Sequence, residues 1–284
     1  MTILPGQPLP APDAPPPPSA PGGRGPRLSQ RTLAAVAAGV VALGGGGAWF
    51  ALHSSGGTAP AAAVSTRPAV HHKASLAKPR APHTRADALK TGTAILAVLP
   101  AQFPGWKVDG KPTIQNPHDN SDPVSRSIQQ CLAGASSRGY AVTSPEVTHT
   151  TATPSYLSVD VTLGFVRNAA RATADLAVLG RASAQRCIAK QVVGRTVSMG
   201  SGASLRFTSM KPLQVPGRAV GWEFDGQIQS NVIGGQSVRV VMLATVDRAT
   251  EILLTSTGLG AALPLSADLR VLHAITAQTH RVIG

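Results

Sequence analysis

The sequence predicts an α+β fold, an antiparallel sheet with helices on one face. Three observations carry this. Residues 155–165, SYLSVDVTLGF, place Leu157, Val159, Val161 and Leu163 at every second position, the period of a half-buried strand. Further strand-like runs crowd the stretch from 204 to 257. Alanine-rich or cappable segments of helical period come before, between and after these strands.

The chain has 284 residues, enough for one sizeable domain or two small ones. Residues 1–31 hold ten of its 24 prolines. Such a segment cannot bury enough apolar surface to offset its ordering entropy, so it reads as a disordered, proline-rich cytoplasmic tail. Pro15 to Pro18 favour polyproline II, which a cytosolic protein partner could read; a solvated tail needs no partner.

Residues 32–52 form the next unit. From Leu33 to Leu52 the chain reads LAAVAAGVVALGGGGAWFAL, 20 residues without a charge. A helix of that length spans about 30 Å, the thickness of bilayer hydrocarbon. Trp49 and Phe50 sit near one end, where an aromatic belt falls. The four glycines are poor helix formers in water, but in lipid the backbone must bond to itself. A phosphate-binding loop is excluded because no Lys or Arg lies between Arg31 and Arg67, and that loop needs its lysine. A cleaved secretory signal is the competing reading. The run is longer than the usual apolar core of a signal and follows a long proline-rich leader, which favours an uncleaved single-pass transmembrane helix. Arg24, Arg27 and Arg31 precede it, and only Arg67 falls within fifteen residues after it. The positive-inside rule then puts the N-terminus in the cytoplasm and the C-terminal bulk outside, at the cell membrane.

Residues 53–84, rich in Ala, Pro, Ser, Thr and His, read as a flexible basic stalk. The overall charge is +13, and its densest part lies in and just beyond the stalk. The expected partners are the lipid bilayer through residues 33–52 and, through the stalk, anionic lipid or a cell-wall polymer. Charge spread along the chain, without a basic stripe, argues against nucleic acid. His71, His72 and His83 have no fixed acidic or thiol neighbour, so no metal site is expected there.

The extracytoplasmic domain is expected over 85–284. Residues 85–99 look helical and end before Pro100. Residues 120–135 offer Asp122 as a cap and Pro123 at the first helical position, with Ile128, Cys131 and Leu132 on one face. After the strand at 155–165 come an alanine-rich helix from Arg167 to Leu179, a break near Gly180 and a second helix over 182–193. Strands follow at 204–213, 218–228, 237–247 and 250–257. The link 247–250 is short enough for a hairpin, and Gly234 and Gly235 mark a longer one. A last helix covers 267–283, with Ser266 as its cap and Leu269, Leu272, Ile275 and Val282 inward.

Cys131 and Cys187 lack the spacing of a redox or zinc motif. In an exported domain they pair as a structural disulfide; in the cytoplasm they would be two buried thiols. The order CLAGAS (131–136), TSPEV (143–147), LSVDVTLGF (157–165), ARATADLAVL (170–179) and QRCIAK (185–190) resembles small exported actinobacterial domains. These are the Mog1/PsbP-like lipoproteins and the sensor-like ectodomains of membrane-anchored kinases. The resemblance covers about 95–284 and implies a modest α/β sandwich without catalytic chemistry. The chain departs from it in lacking a lipobox cysteine and any kinase signature, and no functional residue carries over.

Catalytic motifs are missing from the sequence. There is no G-x-S-x-G, H-E-x-x-H, calcium loop or N-x-[ST] sequon, and GLG at 258–260 has Leu263 where a dinucleotide fingerprint needs its third glycine. No cofactor is expected. Glu223 and Asp225 lie two apart on a strand and so share a face. They offer paired carboxylates for an envelope hydrolase, or the solvated side of a strand that buries Trp222 and Phe224. Trp106, in the loop FPGWKVDGKP, either lines a groove or plugs a sheet edge. Trp106, Trp222, Glu223 and Asp225 are the candidate ligand groove. The function expected is a non-enzymatic binding or sensor-like domain at the envelope, with an interaction protein acting through the proline-rich tail, or a hydrolase, as alternatives.

Overall fold

A computed structural model describes residues 84–114, 139–150, 155–198, 203–230 and 234–284, with Pro82, Ile128, Gln130, Cys131 and Leu132. The expected tail, membrane helix and most of the stalk lie outside these residues. No helix among the described residues is long and apolar enough to cross a membrane.

Among the described residues ten strands form one sheet, and every pairing in it is antiparallel. In chain order they are β1 (Lys107–Asp109), β2 (Thr113–Ile114), β3 (Tyr140–Thr143), β4 (Glu146–Thr150), β5 (Tyr156–Phe165), β6 (Thr196–Ser198), β7 (Ala203–Leu213), β8 (Ala219–Ser230), β9 (Gly234–Asp247) and β10 (Thr250–Leu259). The spatial order is β1-β4-β5-β10-β9-β8-β7-β6, with β3 on the same edge of β5 as β4, and β2 beside β3. The described α-helices are α1 (Arg85–Leu96), α2 (Ala169–Gly180), α3 (Ala182–Val192) and α4 (Leu265–Ile283).

The α+β class and the antiparallel sheet are as the alternation predicts. The expected placement of helices on one face is not. Two apolar cores lie on opposite sides of the sheet. Along β9, Val238, Val240, Met242 and Ala244 join Leu176, Leu179 and Ile188 of α2 and α3. The intervening Val241 and Leu243 join Ile95 of α1 and Val271, Leu272 and Ile275 of α4. The strands alternate their side chains by geometry, so covering both faces leaves β10 buried at all ten positions. The strand at 155–165 is likewise buried on both faces, where its alternation predicted one solvated side.

Local signals explain most boundaries. Thr84 caps α1, its Oγ1 accepting from the Asp87 amide at 3.0 Å, and the helix stops at Leu96 before a 3-10 turn over Pro100–Gln102. Asn168 caps α2 through Oδ1 and the Arg171 amide at 2.9 Å. Arg181 separates α2 from α3 in extended conformation. The hairpin at 247–250 forms with Arg248 at φ 54, and Ser230 pairs with Gly234. The last helix begins at Leu265 with Pro264 at its cap position, not Ser266; Leu272 and Ile275 are buried and Leu269 and Val282 partly so.

The sequence reading assigns no strand to 140–150, yet β3 and β4 together border β5. Their register on β5 shifts by one residue between Thr143↔Thr162 and Val147↔Val159. Ser144 bridges the shift. Its amide donates to the Val161 carbonyl at 2.8 Å and its Oγ accepts from the Val161 amide at 2.9 Å. A side-chain oxygen thus replaces a ladder carbonyl next to Pro145, which has no amide hydrogen to give.

Candidate functional site

Cys131 and Cys187 are bonded to each other, with their Cα atoms 5.5 Å apart, the usual separation for a disulfide. Cys187 lies on α3, and Cys131 packs at the margin of the core that holds Ile128, Leu132 and Ile188. The bridge therefore fastens the Ile128–Leu132 stretch to the α2–α3 side of the sheet.

The four residues of the candidate groove do not meet. Trp222 points into the α2–α3 core and is buried, whereas Glu223 and Asp225, at odd positions of β8, point to the opposite face. Trp106 stacks on His149 of β4, ring centroids 5.2 Å apart, and meets Phe103 at a tilt with centroids 4.6 Å apart. Strand β4 is four strand spacings from β8, about 19 Å. Trp106 packs against the edge of the α1–α4 core.

Glu223 and Asp225 sit among cations. Asp225 accepts from Lys211 Nζ at 3.1 Å, Ser209 Oγ at 3.0 Å and Arg239 Nε at 3.3 Å. Glu223 lies 3.7 Å from Arg239 and 3.9 Å from Lys211. Partial burial works against the Asp225 charge, but Lys211, Ser209 and Arg239 hold its carboxyl below the usual range. A general acid needs the reverse.

A different cluster lies on the α2–α3 face of β4, β5 and β10, and sequence reasoning missed it. The register places Thr255 opposite Asp160 and Thr257 opposite Ser158, with Thr148 opposite Ser158 on the other side. All five are buried. Tyr156, on the same face, donates its hydroxyl to Glu146 Oε1 at 2.9 Å. Burial raises the Glu146 carboxyl, with the Tyr156 hydroxyl opposing; the tyrosine itself is pushed up by burial and by the Glu146 charge. Asp160, 3% exposed, is raised by burial and by Glu146 to about 8. At neutral pH it therefore carries its proton and can both donate and accept. Asp160 Oδ1, Thr255 Oγ1 and Thr257 Oγ1 have no hydrogen-bond partner. The signal for this cluster was present as the polar half of SVDVT and LTST, which the half-buried-strand reading assigned to solvent.

A second buried acid, Asp268, lies in the first turn of α4 on the opposite face. Burial raises it to about 7 against the pull of the Ser256 hydroxyl. No group of three or more metal-ligating side chains occurs among the described residues.

The fold and disulfide define the class, a single-bridge α+β domain with helices on both sides of an antiparallel sheet. No family model matches the chain, and no curated protein matches it in sequence. Among solved structures it is similar to the extracellular domain of PknH from Mycobacterium tuberculosis, at 12% identity and a TM-score of 0.39, over 66% of this chain and 90% of that one. At that identity no residue can be carried from one to the other.

Proposed function

We propose that residues 85–284 are a non-enzymatic binding or sensor-like domain held outside the cytoplasm by a membrane helix at 33–52. The observation that carries this reading is the Cys131–Cys187 bridge. Stable structural disulfides belong to oxidising compartments, and the bridge follows a charge-free run long enough to span a bilayer. The buried hydroxyl and carboxyl cluster supports binding, because unpaired polar atoms in a core lower stability unless something else bonds to them. The basic stalk then lies where anionic lipid or wall polymer is at hand, and residues 1–31 face the cytoplasm.

Reporters active on only one side of the membrane, fused to the C-terminus, test the placement. They should report an outside C-terminus, with Cys131 and Cys187 resistant to thiol labelling until reductant is added. A cytoplasmic C-terminus with freely labelled thiols would refute it.

A further inference from the structure

We infer that the free edge of the sheet, where α3, β6 and β7 meet, is a docking surface for a linear polyanion that also carries hydroxyls, a polyol-phosphate or sugar-phosphate polymer. This deepens the binding role proposed above and rests on it. Its observation is a gathering of exposed cations without counter-charge. From Leu176 to Trp222 the chain has seven Lys or Arg and no Asp or Glu. Lys211 is answered by Glu223 and Asp225 of β8. Arg186 and Lys190 of α3, Arg195, and Arg206 of β7 are exposed, and among the described residues none of these four pairs with an acid.

The fold brings the four together around one edge. Among the described residues β6 pairs only with β7 and so ends the sheet, and α3 packs on β7. Arg186 and Lys190 stand one turn apart on the outer side of α3. The Arg195 guanidinium donates to Gln191 Oε1 at 2.8 Å, back over the last turn of that helix. Its chain neighbours hold it to β7: the Gly194 amide donates to the Phe207 carbonyl at 2.8 Å, and Thr196 pairs with Arg206. Leu205 and Phe207 enter the α2–α3 core, so Arg206 points to the other face of the sheet. Like charges at such spacings repel, and a bound anion removes that cost.

The surroundings select the kind of anion. On the open face the register aligns Thr196, Arg206, Gln227 and Ser237 across four strands, about 14 Å from end to end. All four are exposed. One guanidinium among hydroxyl and amide side chains suits a chain that alternates charge with hydroxyls. The large apolar side chains exposed among the described residues are Leu89, Val108 and Tyr140, on α1, β1 and β3. None lies at this edge, where insertion into lipid or the centre of a protein interface would use one. The cations also sit on both sides of the edge, which a flexible polymer can follow and a flat bilayer meets only end-on.

The test uses the full chain in nonionic detergent micelles, with poly(glycerol phosphate) as the probe and neutral dextran as the uncharged comparison. The wild type should bind the probe, with an affinity that falls as salt rises, and should not bind dextran. Doping the micelles with phosphatidylglycerol should not displace the probe. The variant Arg186→Gln, Lys190→Gln, Arg195→Gln, Arg206→Gln should bind about tenfold more weakly, the sum of four exposed ion contacts. If it does not fold, Arg186→Gln with Lys190→Gln supplies the readout at about threefold. Arg186→Lys, Arg195→Lys, Arg206→Lys keeps the charge and should keep the binding. Removing four charges from the stalk instead, by Arg67→Gln, Lys73→Gln, Lys78→Gln and Arg80→Gln, should cost less. The edge site is refuted if the wild type ignores the probe, if dextran binds as well, if the lipid displaces the probe, or if the stalk variant loses as much as the edge variant. These results leave the envelope placement standing, whereas a cytoplasmic C-terminus would overturn the placement whatever the polymer does.

Discussion

Opening the Cys131–Cys187 bridge should lower stability by about 4 kcal/mol. The sequence separation is 56. In the chain-entropy model a closed loop of that size removes about 14 cal/mol/K from the unfolded ensemble, or about 4 kcal/mol at 25 °C. The Cα separation of 5.5 Å is ordinary for the bond, so no distortion offsets the gain. For a domain of this size 1 kcal/mol corresponds to about 2–4 °C in midpoint, so the expected loss is about 8–16 °C. Reduced wild type and the double variant Cys131→Ala, Cys187→Ala should both show it by circular dichroism in the full chain. The structure adds a local expectation. Ile128 and Leu132 share the core beside Ile188 and Tyr156, and the bridge cross-links their stretch directly to α3. Backbone amides there should lose exchange protection before those of β9 and β10. A drop below about 3 °C in both proteins, against a predicted several kcal/mol, would mean that the unfolded chain is already confined by other contacts and that the entropy reasoning fails.

Other perturbations follow from particular contacts. A Cβ on Gly92 would stand 2.8 Å from Val142 Cβ, where α1 lies against β3. Gly92→Ala gains about 1 kcal/mol of helix propensity but meets an overpacking cost of about 1–3 kcal/mol; urea unfolding should show a net loss, and Gly92→Leu a larger one. Asp160 titrates near 8 in the fold against 3.8 ordinarily, so the folded state keeps a proton that the unfolded chain releases. Stability should therefore fall as pH rises from about 4 to about 8, by at most about 1.4 kcal/mol per unit, with Asp268 adding the same sense up to about 7. Asp160→Asn should flatten that slope in denaturant midpoints taken across the range. Arg248, in the left-handed region at φ 54, should give up to about 1 kcal/mol when changed to Gly. Arg239→Gln should change stability by less than about 1 kcal/mol, because its pairs with Glu223 and Asp225 are half exposed.

Legibility in the sequence followed the strength of local chemistry. Long strands with clear alternation, β5 and β7 to β10, were placed to within a few residues, as was the helix α2 that starts after Asn168 and ends at Gly180. The short strands β1, β2, β3, β4 and β6 were not. Two to five residues carry too little periodicity, and Ser144-Pro145 reads as a turn until the Ser144 hydroxyl is seen bonding Val161. The paired carboxylates 223 and 225 were correctly put on one face. Their neighbours Lys211 and Arg239 come from other strands, 12 and 14 or more residues away, and only the register brings them in.

Composition and local pattern by themselves determined the α+β class, the antiparallel run of long strands and a pair of cysteines able to bridge. Those properties depend on residues close in sequence, or on an even count and a compartment. The tertiary structure alone decided that helices cover both faces. Alternation tells which side chains share a face but not what lies over that face, and polar residues on a strand look solvated whichever is true. Once α2 and α3 cover the second face, Asp160, Thr255 and Thr257 become buried groups with bonds to make. The partly buried acids of β8 and the polar interior between β5 and β10 therefore lie on opposite faces of the sheet.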